Sequence, residues 1–227
     1  MEKILFLLLA DKNRTKLKSK KIYLVRHGQT DYNLKGIVQG SGIDAPLNDR
    51  GREQANLFFD AYKDVPFDRV YTSSLMRSVQ SMQPFIDLGL PHESLAGLDE
   101  INWGTREGIE ITPEEDAYYH QVLSRWRNGE VDLRIEGGES PVDVMTRQKP
   151  ALEHILSQHD DQTILICMHG RAMRVLLCLM LNYPLSLMDE FEHENLCCYK
   201  LTYTGSLFTV DVFNDTSHLI NRHRVQG

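Results

Sequence analysis

Two histidines in this sequence each follow an apolar run and precede a glycine, a placement that suits chemistry on an anionic ligand. The run 22–25 ends at Arg26 and His27, and the run 163–168 ends at His169. Short apolar runs predict buried strands, and open α/β sheets bind ligands at the carboxyl ends of such strands. An imidazole there can act as a nucleophile, and an arginine beside it can bind an anion. For either segment alone, the competing interpretation is a surface charge and a histidine satisfied in the core.

An arginine and a glutamate supply two further groups of this kind. A predicted strand over 67–71 is followed by a helix that starts near Ser73 and Ser74, and Arg77 lies in its first turns. Free backbone N–H groups and the helix dipole favour an anion at such a place. Glu100 precedes a turn-rich Trp-Gly segment, where its carboxyl group could serve as an acid or a base. Alone, each has an ordinary interpretation as a solvated surface charge.

Composition excludes several classes of protein. The chain has 227 residues, which suits one α/β domain with an insertion, and a formal net charge of −7, which argues against sequence-independent binding of nucleic acid. Its four cysteines lack Cys-x-x-Cys spacing, which favours reduced cysteines in a cytosolic protein. His27 and His169 lack the spacing of a helical zinc pair, so we expect no metal ion and no cofactor.

Residues 1–20 precede the first predicted strand and leave two interpretations open. The apolar run 4–10 has seven residues, at the lower limit for a signal peptide, and a bilayer span needs about 20. A basic segment follows it and offers no small-x-small cleavage site. We expect a loosely ordered extension on a cytoplasmic protein without a membrane span, with export as the minor alternative. The tail 220–227 is also expected to be loose.

In order and interval, the motifs of this chain resemble those of the histidine phosphatase superfamily, the phosphoglycerate mutase-like enzymes. The resemblance spans about residues 21–219. It is carried by Arg26-His27-Gly28 with Asn33, Gln39-Gly40, Pro46-Leu47, Gly51 with Gln54-Ala55, residues 73–77, residues 98–100 with Gly104 and Glu107-Gly108, residues 137–140, His169-Gly170 and residues 214–219. Three positions depart from the usual pattern: Ser78 replaces the usual alanine, and Met168 and Arg171 stand where small or apolar residues are commoner.

The resemblance implies a three-layer α/β/α sandwich with a mostly parallel central sheet, and the alternation of apolar strands with helices agrees with it. We expect helices over about 52–62, from 75, over 114–126, 140–158 and 172–180, and two closing strands over 199–204 and 208–213. Either Asn48 or Asp49 could cap the first of these helices. A cap insertion over about 101–145 is expected to choose the substrate. Its aromatic residues suit a substrate pocket or the core of the cap: Trp103, Tyr118, Tyr119 and Trp126.

For function, the resemblance implies a metal-independent phosphomonoesterase that acts on a small phosphorylated metabolite through a phosphohistidine on His27. Glu100 would be the general acid and base, and Glu107 is its nearest rival. The expected catalytic residues are Arg26, His27, Arg77, Glu100 and His169. The expected phosphate-binding residues are Arg26, His27, Asn33, Gln39, Gly40, Arg77, His169 and Gly170.

Three other functions compete with this hypothesis. A cofactor-dependent phosphoglycerate mutase would carry an Asn-Lys pair after the acid, which residues 102–110 lack. A non-catalytic module that binds phosphorylated ligands would have lost one of the five catalytic residues, and all five are present. A nucleotide-binding protein or a sugar-phosphate isomerase on a similar sheet would need a glycine-rich phosphate loop, and residues 36–42 fit neither usual spacing. The identity of the phosphate ester stays open, as does a homodimer.

Overall fold

The apolar runs that precede the two histidines lie side by side in the middle of one sheet. The computed structural model describes residues 19–220, and its strands are β1 (Lys20–Arg26), β2 (Arg69–Thr72), β3 (His92–Ser94), β4 (Thr163–Met168), β5 (Cys198–Tyr203) and β6 (Phe208–Asp215). Their order across the sheet is β3-β2-β4-β1-β5-β6. The first four strands of that order pair in parallel, whereas β5 pairs antiparallel with both of its neighbours. The prediction of a mostly parallel sheet is therefore confirmed.

Helices cover both faces of this sheet. They are α1 (Asp31–Lys35), α2 (Asp49–Tyr62), α3 (Met76–Asp87), α4 (Pro113–Arg127), α5 (Pro141–Ser157) and α6 (Gly170–Leu181). On one face, Val25 shares a hydrophobic core with Phe58 of α2 and Met82 of α3. On the other face, Leu24 shares a core with Leu176 of α6 and with residues of α5. Successive side chains of β1 thus point into opposite layers, as a strand requires, and the three-layer sandwich is confirmed.

Local signals fix where the helices begin. The side chain of Asn48 accepts a hydrogen bond from the N–H of Gly51, so Asn48 rather than Asp49 caps α2. Ser140 and Asp143 form a capping box at the start of α5. The sequence did not predict α1 or β3, because their five and three residues are too few to reveal a hydrophobic period.

The chain between residues 99 and 140 forms α4 and the loops around it. Gly104 has a φ of +56°, and a Cβ there would lie 2.0 Å from the carbonyl oxygen of Glu136, so two loops touch at this glycine. Arg147 of α5 fixes the same loops by donating to the carboxylate of Glu139 and to the carbonyls of Gly97 and Glu100. Because α5 begins at Pro141, residues 141–145 of the expected cap belong to the helical layer.

Expectations for residues 1–18 and 221–227 lie outside the described residues. Lys20, the last residue of the expected extension, already belongs to β1, and its ammonium group donates to the carbonyls of Gln158 and Asp161. Between residues 19 and 220, no helix combines the length and apolar character that crossing a bilayer requires.

Candidate active site

The ends of three neighbouring strands bring the two histidines together. β4 lies between β1 and β2, so His27 after β1 and His169 after β4 are neighbours at one edge of the sheet. The N–H of His27 donates to the carbonyl of Met168 over 2.9 Å, and the N–H of Ser73, after β2, donates to the carbonyl of Cys167. The two imidazole rings lie 5.0 Å apart between centroids. We call His27, Arg77, Glu100 and His169 the floor of the site.

His27 is a neutral imidazole with one nitrogen free of a proton. Its Nδ1 lies 2.7 Å from the carbonyl oxygen of Gly28, which can only accept, so Nδ1 carries the proton. Burial lowers the pKa of His27 well below its usual value, and the positive charges of Arg77 and Arg26 lower it further. The lone pair on Nε2 is therefore available for attack on an electrophile at neutral pH.

His169 is fully buried, and both of its ring nitrogens have protein partners. Nδ1 accepts a hydrogen bond from Nε of Arg77 over 3.1 Å, so Nε2 carries the proton and donates to Oγ of Ser73 over 2.7 Å. Ser73 in turn donates to Oγ of Ser78 over 2.7 Å, and Ser78 donates to the carbonyl of Leu75. Ser78, one of the departures from the family pattern, thus ends a chain of hydroxyl groups that begins at Nε2 of His169, whose tautomer is fixed by Arg77.

Arg77 places a buried positive charge under the same edge. The residue is fully buried, and its guanidinium group donates to the carbonyls of Ile43 and Gly40 over 2.7 and 3.1 Å as well as to His169. Gly40 therefore contributes a carbonyl that orients Arg77. A Cβ on Gly40 would lie 2.0 Å from Oε1 of Glu107, so no larger residue fits there.

Glu100 lies at the start of α6, beside His169. Its Oε1 accepts from the N–H groups of Ile101 and Ala172 over 2.9 and 2.8 Å, and its Oε2 accepts from the N–H of Arg171 over 3.1 Å. These three donors hold the carboxyl group of Glu100 in place at the start of α6. Glu107, the rival acid, accepts from the N–H of Trp103, and burial raises its pKa.

A cavity of about 330 Å³ opens beside the floor, and among the four floor residues only Glu100 lines it. Its lining includes five of the predicted residues: Arg26, Asn33, Gln39, Glu100 and Gly170. Nε of Arg26 and Nε2 of Gln39 are buried donors without a hydrogen-bond partner among the described residues. Leaving such donors unpaired costs free energy, so the cavity is prepared for a ligand rich in acceptor oxygens. Between residues 19 and 220, no three His, Cys, Asp or Glu side chains are grouped so as to hold a metal ion.

Two residues near this cavity, His193 and Asn195, were not predicted from the sequence. Nδ1 of His193 accepts from Nη1 of Arg26 over 3.2 Å, and burial together with nearby arginines lowers the pKa of His193 to about 2. Asn195 donates to the carbonyl of His27 and to Oδ1 of Asn33 over 3.0 and 3.2 Å. The antiparallel pairing of β5 with β1 brings the residues before β5 to the site, and no pattern in the sequence signals that pairing.

The aromatic residues of the 99–140 segment divide between two roles. Trp126 is fully buried, and the centroid of its ring lies 5.6 Å from that of Trp103, so Trp126 belongs to a hydrophobic core. Trp103 and Tyr119 line the 330 Å³ cavity and also a second cavity of about 220 Å³ beside it, where Tyr118 joins them. Three of the four aromatic residues therefore face cavities.

Known proteins share both the sequence pattern and the fold. The model of the histidine phosphatase superfamily (branch 1) matches residues 22–216. The probable phosphoglycerate mutase GpmB of Yersinia pestis (strain Pestoides F) is 30% identical over 207 residues, which are 87% of this chain and 94% of that protein. The structure of Bacillus stearothermophilus YhfR is 26% identical with a TM-score of 0.75, covering 88% of this chain and 99% of that one.

A further solved structure supports the fold alone. The mycobacterial glucosyl-3-phosphoglycerate phosphatase is 23% identical with a TM-score of 0.76, and the match covers 88% of this chain and all of that one (100%). The family model spans most of the chain, from the strand before His27 to the residues after β6. The protein therefore belongs to the histidine phosphatase superfamily.

Proposed function

We propose that this protein is a metal-independent phosphomonoesterase that hydrolyses a small phosphorylated metabolite through a phosphohistidine on His27. The observation that carries the proposal is the state of His27, whose Nδ1 proton is held by a carbonyl while burial and two nearby arginines keep the ring neutral. A neutral imidazole beside unpaired cationic and amide donors suits attack on a phosphate ester, which asks chiefly for positioning and positive charge.

In the first half of the reaction, Nε2 of His27 forms a bond to phosphorus as the bond from phosphorus to the ester oxygen breaks. Glu100 gives its proton to the departing oxygen, which leaves as an alcohol. Arg26 and Arg77 counter the charge on the phosphoryl oxygens, and Asn33 and Gln39 add neutral donors. In the second half, water attacks the phosphohistidine, Glu100 takes a proton from that water, and phosphate leaves with His27 restored.

Glu100 needs a proton before the first half of the reaction. Three backbone N–H groups donate to its carboxyl oxygens and hold them in place for the transfer.

His169 takes a positioning role in this proposal. A direct contact from His169 to the phosphoryl group would require Nε2 to leave Ser73, its present acceptor. With the contacts as they stand, His169 holds the Nε of Arg77 and keeps its positive charge close to His27.

A phosphoglycerate mutase is the second candidate, and the 30% identity to a probable phosphoglycerate mutase favours it. Both reactions share the phosphohistidine and differ in whether water or a second hydroxyl group receives the phosphoryl group. Residues 102–110 lack the Asn-Lys pair of such mutases, so we favour hydrolysis.

The first test is hydrolysis of p-nitrophenyl phosphate with EDTA present. We expect turnover that His27→Ala lowers by at least about 10³-fold, because the variant lacks the nucleophile. His154→Ala removes an exposed histidine that pairs with Glu93 and should match the unaltered protein. Quenching in alkaline detergent after labelled substrate should trap phosphohistidine, which is stable in alkali, in the unaltered protein only. Phosphate exchange between phosphoglycerates without release would favour the mutase, and phosphate binding without turnover would favour a non-catalytic module.

A further inference from the structure

The second cavity, of about 220 Å³, lies beside the larger active-site cavity and has a lining of its own. Trp103 and Tyr119 line both cavities, and the centroids of their rings are 5.3 Å apart. None of the four floor residues lines the smaller cavity. The reaction proposed at His27 therefore makes no use of this space.

Apolar and aromatic side chains form most of the lining of the smaller cavity. Tyr118 joins the two shared aromatic residues, and the aliphatic members are Val38, Ile109, Ile111 and Ile135. A cavity of about 150 Å³ with an apolar lining stays dry and binds benzene. The larger volume here suits a molecule of one or two rings.

The ionic groups of this lining are paired with one another. Nη1 of Arg106 donates to both carboxylate oxygens of Glu115, over 2.5 and 2.7 Å, and Nε2 of His120 lies 3.5 Å from Oδ1 of Asp116. The guanidinium group of Arg106 also lies 4.2 Å from the centroid of the Tyr118 ring, a favourable contact for a cation. These pairs leave no excess charge for a charged ligand to neutralise, so the lining favours a neutral one.

One polar atom among the lining residues has no partner. Nε of Arg106 is a buried donor without a hydrogen-bond acceptor among residues 19–220. Leaving a buried donor unpaired costs free energy, which a single acceptor oxygen on a ligand would recover. Arg106 therefore adds one polar requirement to an otherwise apolar and aromatic site.

We propose that the smaller cavity is a second ligand site, which binds a neutral aromatic molecule of one or two rings that carries an acceptor oxygen. The rings of the ligand pack among Trp103, Tyr118 and Tyr119, and its oxygen accepts from Nε of Arg106. This site is separate from the active-site cavity, and the inference does not depend on the reaction at His27.

The test compares 1-indanone, which has two fused rings and one carbonyl oxygen, with indane, which has the same rings without the oxygen. Binding is followed by NMR of the protein labelled at its isoleucine methyl groups. Ile109 and Ile135 line the smaller cavity, whereas Ile37 lines the active-site cavity. We expect 1-indanone to shift the signals of Ile109 and Ile135 but not that of Ile37.

The two compounds should also differ in affinity. We expect 1-indanone to bind at least about tenfold more tightly than indane, the usual value of a hydrogen bond to a charged group. Arg106→Lys keeps a positive charge for Glu115 but has a methylene group where arginine has Nε, so it should reduce the difference to within about threefold. Arg125→Lys is the matched control, because Arg125 also belongs to an ion pair and does not line the cavity.

The remaining isoleucine signals show whether each variant is folded, so a lost preference can be separated from a lost fold. A shift at Ile37 without shifts at Ile109 and Ile135 would place 1-indanone in the active-site cavity and overturn the inference. Equal affinity for the two compounds, no binding of 1-indanone, or a preference that survives Arg106→Lys would also overturn it. Since no substrate is present in these titrations, a failure of the proposed reaction would leave their result unchanged.

Discussion

The floor of the site differs in its partners from the arginine wall, the name we give to Arg171 and Arg174, which line the cavity, and their shared partner Asp189. In the floor, the protons and charges are fixed by neutral partners: a carbonyl holds Nδ1 of His27, and two carbonyls hold Arg77. In the arginine wall, ion pairs to Asp189 hold the two arginines. The partners in the floor are thus uncharged acceptors, whereas the partner in the wall is a carboxylate.

We therefore expect the floor to determine the rate of the reaction and the arginine wall to determine which substrate is preferred. In the proposed reaction, the floor offers a nucleophile and positive charge to the phosphate group. Arg171 and Arg174 line the cavity together with Trp103 and Tyr119, where they are placed to contact the rest of a substrate. A change in the floor should therefore lower the rate with every substrate, and a change in the wall should alter the ranking of substrates.

The largest effect is expected from Glu100→Gln in the floor. An alkyl phosphate needs a protonated leaving group, so its kcat should fall by about 10²- to 10⁴-fold. p-Nitrophenol leaves without a proton, so the variant should still release one equivalent of it in a burst and then stall as phosphohistidine. Stopped-flow absorbance measures the burst, and quenching in alkaline detergent measures the phosphohistidine that accumulates.

Glu107→Gln is the comparison for that experiment. Glu107 lies under Gly40, and we expect the variant to keep steady turnover of both substrates within about tenfold, as an indirect contact allows. A burst in Glu107→Gln and none in Glu100→Gln would assign the acid to Glu107.

The same division explains what the sequence could predict. Residues that directly follow an apolar strand, such as His27 and His169, have their position fixed by the strand, so the sheet edge and most of the floor were predictable. The arginine wall depends on the 3₁₀ turn Leu185–Glu190, which carries Asp189 and packs against α4 and α6. No hydrophobic period in the sequence predicts such a contact. Arg171 was visible only as a departure from the family pattern, with its partner unknown.

The antiparallel pairing of β5 was a second feature that could not be predicted from the sequence. The sequence predicted two closing strands but not where they join the sheet, and their direction decides that residues before β5 reach the site. His193 and Asn195 were missed for this reason, although each contacts a predicted residue directly.

An intermediate effect is expected from Ser73→Ala. This variant tests whether the activity depends on the fixed orientation of the His169 ring. The variant leaves the Nε2 proton of a buried ring without an acceptor, which costs about 1–3 kcal/mol of unfolding free energy. If the ring then reorients, Arg77 loses its partner, and we expect kcat to fall about tenfold with little change in KM.

Controls for that variant lie along the chain of hydroxyl groups. Ser78→Ala removes only the next partner and should give a smaller loss of kcat, and Ser157→Ala, on the exposed end of α5, should give none. If Ser73→Ala leaves kcat unchanged for every ester, the orientation of His169 does not affect the reaction.

The smallest effect concerns pH, and it tests whether His193 in the loop before β5 is as firmly buried as the floor histidines. The pKa of His193 is about 2 in the folded protein, against about 6.5 in an unfolded chain. Below pH 6.5 the unfolded chain therefore binds a proton that the folded protein does not, and stability falls as pH falls. His27 and His169, whose folded pKa values are also lowered, act in the same direction.

Each such histidine steepens the loss by up to ~1.4 kcal/mol per pH unit between pH 6 and pH 5. His193→Gln keeps an acceptor for Arg26 and should make the slope shallower by that amount, whereas His154→Gln at an exposed position should leave it unchanged. Urea denaturation at several pH values measures the slope. If His193→Gln has the slope of the unaltered protein, His193 accepts a proton in the folded state, and the loop before β5 opens to solvent more readily than the floor beside it.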